Sequence, residues 1–105
     1  MLTEKDYCDN DTCVALKELG YPILWFEDET YHENSTEISL YEAQKWLREV
    51  KQMILQPTYL ELSDEWICVI RDKKRRHGYS AQKQKDYEEA LLEGVKSAIK
   101  ILKEE

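Results

Sequence analysis

Residues Trp66–Ile70 read W-I-C-V-I, apolar at every position. A strand with one wet face alternates apolar and polar residues, so an unbroken run asks for cover on both sides. A second β-rich run, Thr58–Leu62, precedes it, with Ser63, Asp64 and Glu65 between them. Two such runs across a short polar link predict a hairpin. The link has no glycine, and Asp64 is the residue there that best tolerates a left-handed backbone. A three-residue loop sets Leu62 opposite Trp66, Leu60 opposite Cys68 and Thr58 opposite Ile70. A two-residue loop sets Leu60 and Leu62 against Val69 and Ile67. Both registers leave the hairpin with two apolar faces. Helices cover one; the other is either closed by the acidic loop with Tyr31 or serves as an interface. Tyr59, Trp66, Ile67 and Val69 are the candidate interface residues, for a homodimer or a protein partner.

Around this hairpin the pattern is helical. Asn10 or Asp11 can cap a helix over Thr12–Leu19, because their side chains accept from free backbone N–H groups. Cys13, Leu16 and Leu19 share its apolar face. Gly20 ends it, glycine being at ease in the left-handed position after a helix, and Pro22 reinforces the stop. Ile23–Phe26 is apolar and aromatic and reads as a short strand. Residues 27–37 are polar and acidic and read as a loop, with Tyr31 and the adjacent Ile38 available to dock on the core. Ser39 with Glu42 forms a capping box. Ala43, Trp46, Leu47, Val50 and Ile54 follow at helical spacing, and Pro57 stops that helix. Asp86 caps a last helix over Tyr87–Leu102, whose apolar face holds Tyr87, Leu91, Val95, Ala98 and Leu102. Gly94 on that side costs about 1 kcal/mol against alanine, which suits a close approach to the sheet.

The reading is therefore a small single α+β domain over residues 1–105. Its order is helix, strand, helix, hairpin, helix, with the helices packed on a small, mostly antiparallel sheet. A chain of 105 residues fits one such domain. No eighteen-residue apolar stretch is present to cross a membrane, and Met1–Asn10 lacks the basic and apolar regions of a signal peptide. A cytoplasmic location is expected, with Cys8, Cys13 and Cys68 as free thiols.

Net charge is −7, which argues against a general nucleic-acid binder. The charge is uneven. Residues 72–85 carry six cations against Asp72 alone, a net of +5, leaving −12 on the rest. The block Lys73, Lys74, Arg75 and Arg76 is the candidate anion or nucleic-acid contact. It sits in a loop with Gly78 between strand and helix, and Tyr79 could stack on a base.

Catalytic and metal motifs are weak. Cys8 and Cys13 form one loose pair, with Cys68, His32 and His77 elsewhere, unlike the doubled knuckles of structural zinc sites. Glu27, Asp28 and Glu29 lack EF-hand spacing. There is no P-loop, no dinucleotide fingerprint and no H-E-x-x-H. No catalytic residue, cofactor or metal is assigned, and a non-enzymatic role is expected.

Glu42–Val50 reads EAQKWLREV, and Tyr87–Leu102 reads YEEALLEGVKSAIKIL. With the KELGYP stop at Lys17–Pro22 and the Trp66 hairpin, the chain resembles a group of short uncharacterised proteins. These are encoded by anaerobic gut bacteria and by their phages and mobile elements. The resemblance spans roughly Thr12–Leu102, and its matching residues are structural. It implies a mobile-element accessory role and transfers no site residue. The long basic loop departs from that group's shorter, less charged connection.

Overall fold

Local capping chemistry decides where the helices begin. The computed structural model describes residues 6–21 and 38–104. Helix α1 spans Asn10–Glu18 and is capped by Asp9, whose side chain accepts from Thr12 N at 2.8 Å. The cap thus lies one residue before Asn10 and two before Asp11, the two expected positions. At the other end Gly20 takes φ 106°, and two bonds close the helix: Gly20 N to Lys17 O and Tyr21 N to Leu16 O, each 3.0 Å. That is the Schellman arrangement, which satisfies carbonyls the helix leaves unpaired.

Helix α2 spans Leu40–Val50. Ser39 caps it as expected, with Glu42 N donating to Ser39 Oγ at 3.0 Å; the Glu42 carboxylate accepts from the Ser39 hydroxyl at 3.1 Å, where the box would have it accept from the backbone N–H. The helix stops at Lys51, short of Ile54. Gln52 adopts φ 57°, and the next residue is already strand. Helical spacing at Val50 and Ile54 misled here, because Met53 and Leu55 point inward while Ile54 turns away, a period of two.

Strand β1 is Met53–Leu60, β2 is Glu65–Asp72 and β3 is His77–Ser80, in the order β1-β2-β3, all antiparallel. The first hairpin exists, but its strand starts at Met53, and its loop is Glu61–Asp64, four residues long. Asp64 is left-handed at φ 55°, as its chemistry allows. Tyr59 pairs with Trp66, Pro57 with Cys68 and Leu55 with Ile70, a register different from both expected ones. Pro57 fits inside β1 because, among the described residues, that strand is an edge. Gln52 O accepts from Lys73 N across the ladder, whereas Leu55 O accepts from the Gln44 side chain outside it. The same alternation points the Pro57 backbone nitrogen at the open edge, so its missing N–H removes no ladder bond. The expected strand Ile23–Phe26, the acidic loop 27–37, Tyr31 and His32 lie outside the described residues.

Helix α3 spans Tyr87–Lys103, capped by Asp86 accepting from Glu89 N at 2.8 Å. It lies across β1 and β2, with α2 beside it over β1 and α1 packed on its outer flank. Lys96 to Asp9 at 3.1 Å and Lys103 to Glu18 at 2.7 Å link α3 with the α1 region. The core joins Leu16, Leu40, Leu47, Met53, Ile70, Leu91 and Val95, all fully buried. The segment before α1 adds a bridge, Tyr7 to Ser39, and Cys8 N donates to Ile38 O at 2.8 Å. No described helix is long and apolar enough to cross a membrane.

Gly94 is where α3 meets β2. A Cβ there would clash with the Cys68 Sγ and come within 2.9 Å of its Cβ. Gly94→Ala should therefore lose about 1–3 kcal/mol by overpacking, despite roughly 1 kcal/mol of helix propensity gained. Urea unfolding measures it. Adding Cys68→Ala should recover part of the loss, since the sulfur is the nearest clash.

Candidate functional site

The register sorts the sheet into two unlike faces. Met53, Leu55, Pro57 and Tyr59 share one side with Trp66, Cys68, Ile70 and Asp72. That side meets the helices: Met53, Leu55, Cys68 and Ile70 belong to the buried core. Trp66 stands edge-on to Tyr87 of α3, centroids 5.3 Å apart, and tilts against Tyr59 at the same distance. Tyr59 donates to Asp64 at 2.6 Å.

The opposite side carries Ile54, Gln56, Thr58 and Leu60 on β1 and Glu65, Ile67, Val69 and Arg71 on β2. Ile54, Leu60, Ile67 and Val69 are half-buried and stand outside the core and outside the side chains packed on it. Among the described residues no helix packs on this face.

The four expected interface residues therefore part company. Ile67 and Val69 lie on the open face, while Tyr59 and Trp66 lie on the helix side. Ile54, Leu60, Glu65 and Arg71 were not assigned: Ile54 was read as helix, whereas Glu65 and Arg71 follow Ile67 and Val69 by strand alternation alone, and Leu60 follows from the two-residue loop. A bulge adds to this face. Ala81 N donates to Cys68 O and Gln84 bridges Trp66, so Gln82 and Lys83 together oppose Ile67.

The basic block is a second hairpin turn, between β2 and β3, and not a link from strand to helix. Strand β3 was not foreseen. Asp72, 3 % exposed, holds the turn. Its Oδ1 accepts from Lys74 N at 3.0 Å and Arg75 N at 3.1 Å, and its Oδ2 lies 3.8 Å from Arg75 Nε. Arg76 takes φ 59° to complete the turn.

This geometry divides the four cations. Lys73 and Arg76 line a shallow groove of about 430 Å³ with Arg71, Asp72, His77, Gly78 and Val69, at one end of the open face. Lys74 lines a different groove of about 310 Å³ with Leu19, Val50 and Leu102. Arg75 faces Asp72. The groove thus gains Arg71 and His77, neither of which was assigned from sequence. Arg71 could have been found from strand alternation, being two residues before Lys73.

The thiols are core groups. Cys8, Cys13 and Cys68 are free and buried, and Cys13 Sγ donates to Cys8 O at 3.7 Å. Burial pushes the Cys8 thiol up to about 12, helped by the negative charge nearby. Burial likewise pushes the Cys68 thiol up to about 11. A thiol held protonated in the core is a poor nucleophile. Among the described residues no three of His, Cys, Asp and Glu gather in a way that could hold a metal ion.

Compared with protein-family models, curated proteins and solved structures, the chain matches none.

Alkylation reads the thiol environment. Raising the Cys68 value from 9.0 to about 11 cuts its thiolate at neutral pH about a hundredfold. Native Cys68 should accordingly be alkylated at least about a hundredfold more slowly than in urea, as peptide mass mapping would follow. Equal rates in the two conditions would contradict its burial.

Proposed function

We propose that the protein is a non-enzymatic interaction module whose docking surface is the open face of its sheet. One observation carries this reading. Helices α2 and α3 pack on one side of the sheet, and the other side bears Ile54, Leu60, Ile67 and Val69 outside the core. Soluble domains leave such sheet faces polar unless something docks there. The chemistry of the thiols supports a non-catalytic role, since all three point into the core. An accessory role in a phage or other mobile element is what the resemblance of Glu42–Val50 and Tyr87–Leu102 adds.

A stability test separates a docking face from one that the chain closes itself. Ile67→Lys with Val69→Lys places two charges on the face. On a free surface they should leave the melting midpoint of the dilute protein within a few degrees. Under a covering segment they would be buried charges, costing several kcal/mol. In a domain this size each kcal/mol moves the midpoint by roughly 4–8 °C. A fall of more than about 10 °C would end the reading.

A second reading is favoured by the groove that gathers Arg71, Lys73, Arg76 and His77. Arginine forks and a lysine charge suit phosphate oxygens, so the groove could contact single-stranded nucleic acid or another phosphate-bearing anion. Three backbone contacts predict a log–log salt slope of about −2. A gel shift at low salt, lost when Arg71, Lys73 and Arg76 become alanine, would support it. No shift at low salt would exclude it.

A further inference from the structure

Strand β2 presents Glu65, Ile67, Val69 and Arg71 to the open face in that order. Read from its centre at Cys68, the face runs from an aliphatic residue to a charge in each direction, with opposite charges at the two ends. Neither Glu65 nor Arg71 has an ion-pair partner among the described residues. Lys73 and Arg76 line one groove with Arg71 at the basic end.

From this pattern we infer that the occupant of the open face is a second copy of the chain, stacked sheet on sheet. The two-fold axis runs between the sheets, across β2 at Cys68. The inference rests on the reading of that face as a docking surface. The rotation reverses β2 against its copy, so Glu65 meets Arg71 twice and Ile67 meets Val69 twice. It also lays β1 on β1. Ile54 then meets Leu60, and Gln56 meets Thr58. On β1 and β2 each face-to-face pair is chemically matched: ion to counter-ion, aliphatic to aliphatic, amide to hydroxyl.

The competing two-fold, with its axis along β2, stacks Glu65 on Glu65 and Arg71 on Arg71. Like charges in contact disfavour it. Charge therefore selects one axis for an isologous interface.

The distances are workable. Glu65 and Arg71 lie six residues apart, roughly 20 Å along a strand. Each is then about 10 Å from the axis. Stacked sheets cross at about 30°, which offsets strands at that radius by roughly 5 Å. Arginine and glutamate side chains span such an offset. The contact is narrow, built mainly on two strands, and falls at the small end of specific interfaces. The dimer is accordingly concentration-dependent.

Charge reversal tests the axis. Glu65→Arg alone and Arg71→Glu alone each create two like-charge contacts, so each variant should be monomeric by light scattering at concentrations where the natural chain is dimeric. An equimolar mixture of the two should recover the dimer, because every contact is again opposite in sign. The double variant carrying both changes in one chain should dimerise with itself. Circular dichroism melting of each variant keeps a folding defect distinct from lost association.

A natural chain that stays monomeric at all concentrations overturns the inference. If the Ile67→Lys and Val69→Lys variant then melts normally, the docking reading survives and the face serves a different partner. If that variant unfolds early, the reading itself fails. A natural dimer that persists in both single charge variants overturns the axis and leaves the docking face standing.

Discussion

Helix α3 can lie across β2 only because Gly94 offers no side chain to Cys68. That close approach fixes which side of β2 is inside. Cys68 shares its side with Ile70, and their partners Pro57 and Leu55 are drawn inward on β1. With that side chosen, period-two alternation sends Ile67 and Val69 outward, together with Ile54 and Leu60. The apolar continuity of Trp66–Ile70 is thus explained in halves. One half is core, closed by α3, and the other half is surface. The strand looks fully buried in sequence, yet among the described residues the helices cover only one of its faces.

Elements specified by near neighbours were legible. Ser39 with Glu42, Asp86 with Glu89, and Gly20 after Leu19 each act within a few residues, and each does in the structure what its chemistry predicts. Gly94 was also legible, since a glycine within an apolar helical stripe has few reasons to be there. Pairing register was not. Both hairpin loops have four residues, and their left-handed positions fall on Asp64 and Arg76 instead of glycine. No local signal fixed the loop length, and a one-residue error moves every side chain to the opposite face. That is why Tyr59 was grouped with Ile67 and Val69; Trp66, next to Ile67 on the same strand, faces the other way in any register. Strand β3 was hidden for another reason. His77–Ser80 is short and polar, and it is a strand only because β2 supplies its partner.

Asp72 shows how a charge run becomes a turn. Four consecutive cations repel, yet Lys73–Arg76 folds tightly because one buried carboxylate accepts two backbone N–H groups and faces Arg75. Asx-type bonding of this kind makes a turn without glycine. It also sorts the cations. Drawing Arg75 toward Asp72 leaves Lys73 and Arg76 beside Arg71, and places Lys74 in the groove near Val50 and Leu102. A patch that looks uniform in sequence is divided between two grooves, each of which Asp72 also lines.

Arg71 belongs both to the groove and to the open face, so the two readings are coupled. If Arg71 meets Glu65 of a second copy, its guanidinium is turned away from any anion in the groove. If a phosphate holds it, Glu65 of the copy loses its counter-ion. The two occupants would then compete, each weakening the other by the same factor, as linkage requires. Salt also acts on them unequally. Screening weakens exposed ion pairs but leaves aliphatic contact intact or strengthened, whereas polyanion binding depends throughout on counterion release. Ile54, Leu60, Ile67 and Val69 would therefore hold a sheet-on-sheet dimer together at ionic strengths that strip an anion from Arg71, Lys73 and Arg76. On that reasoning the apolar half of β2, not its basic end, decides what the open face binds as salt rises.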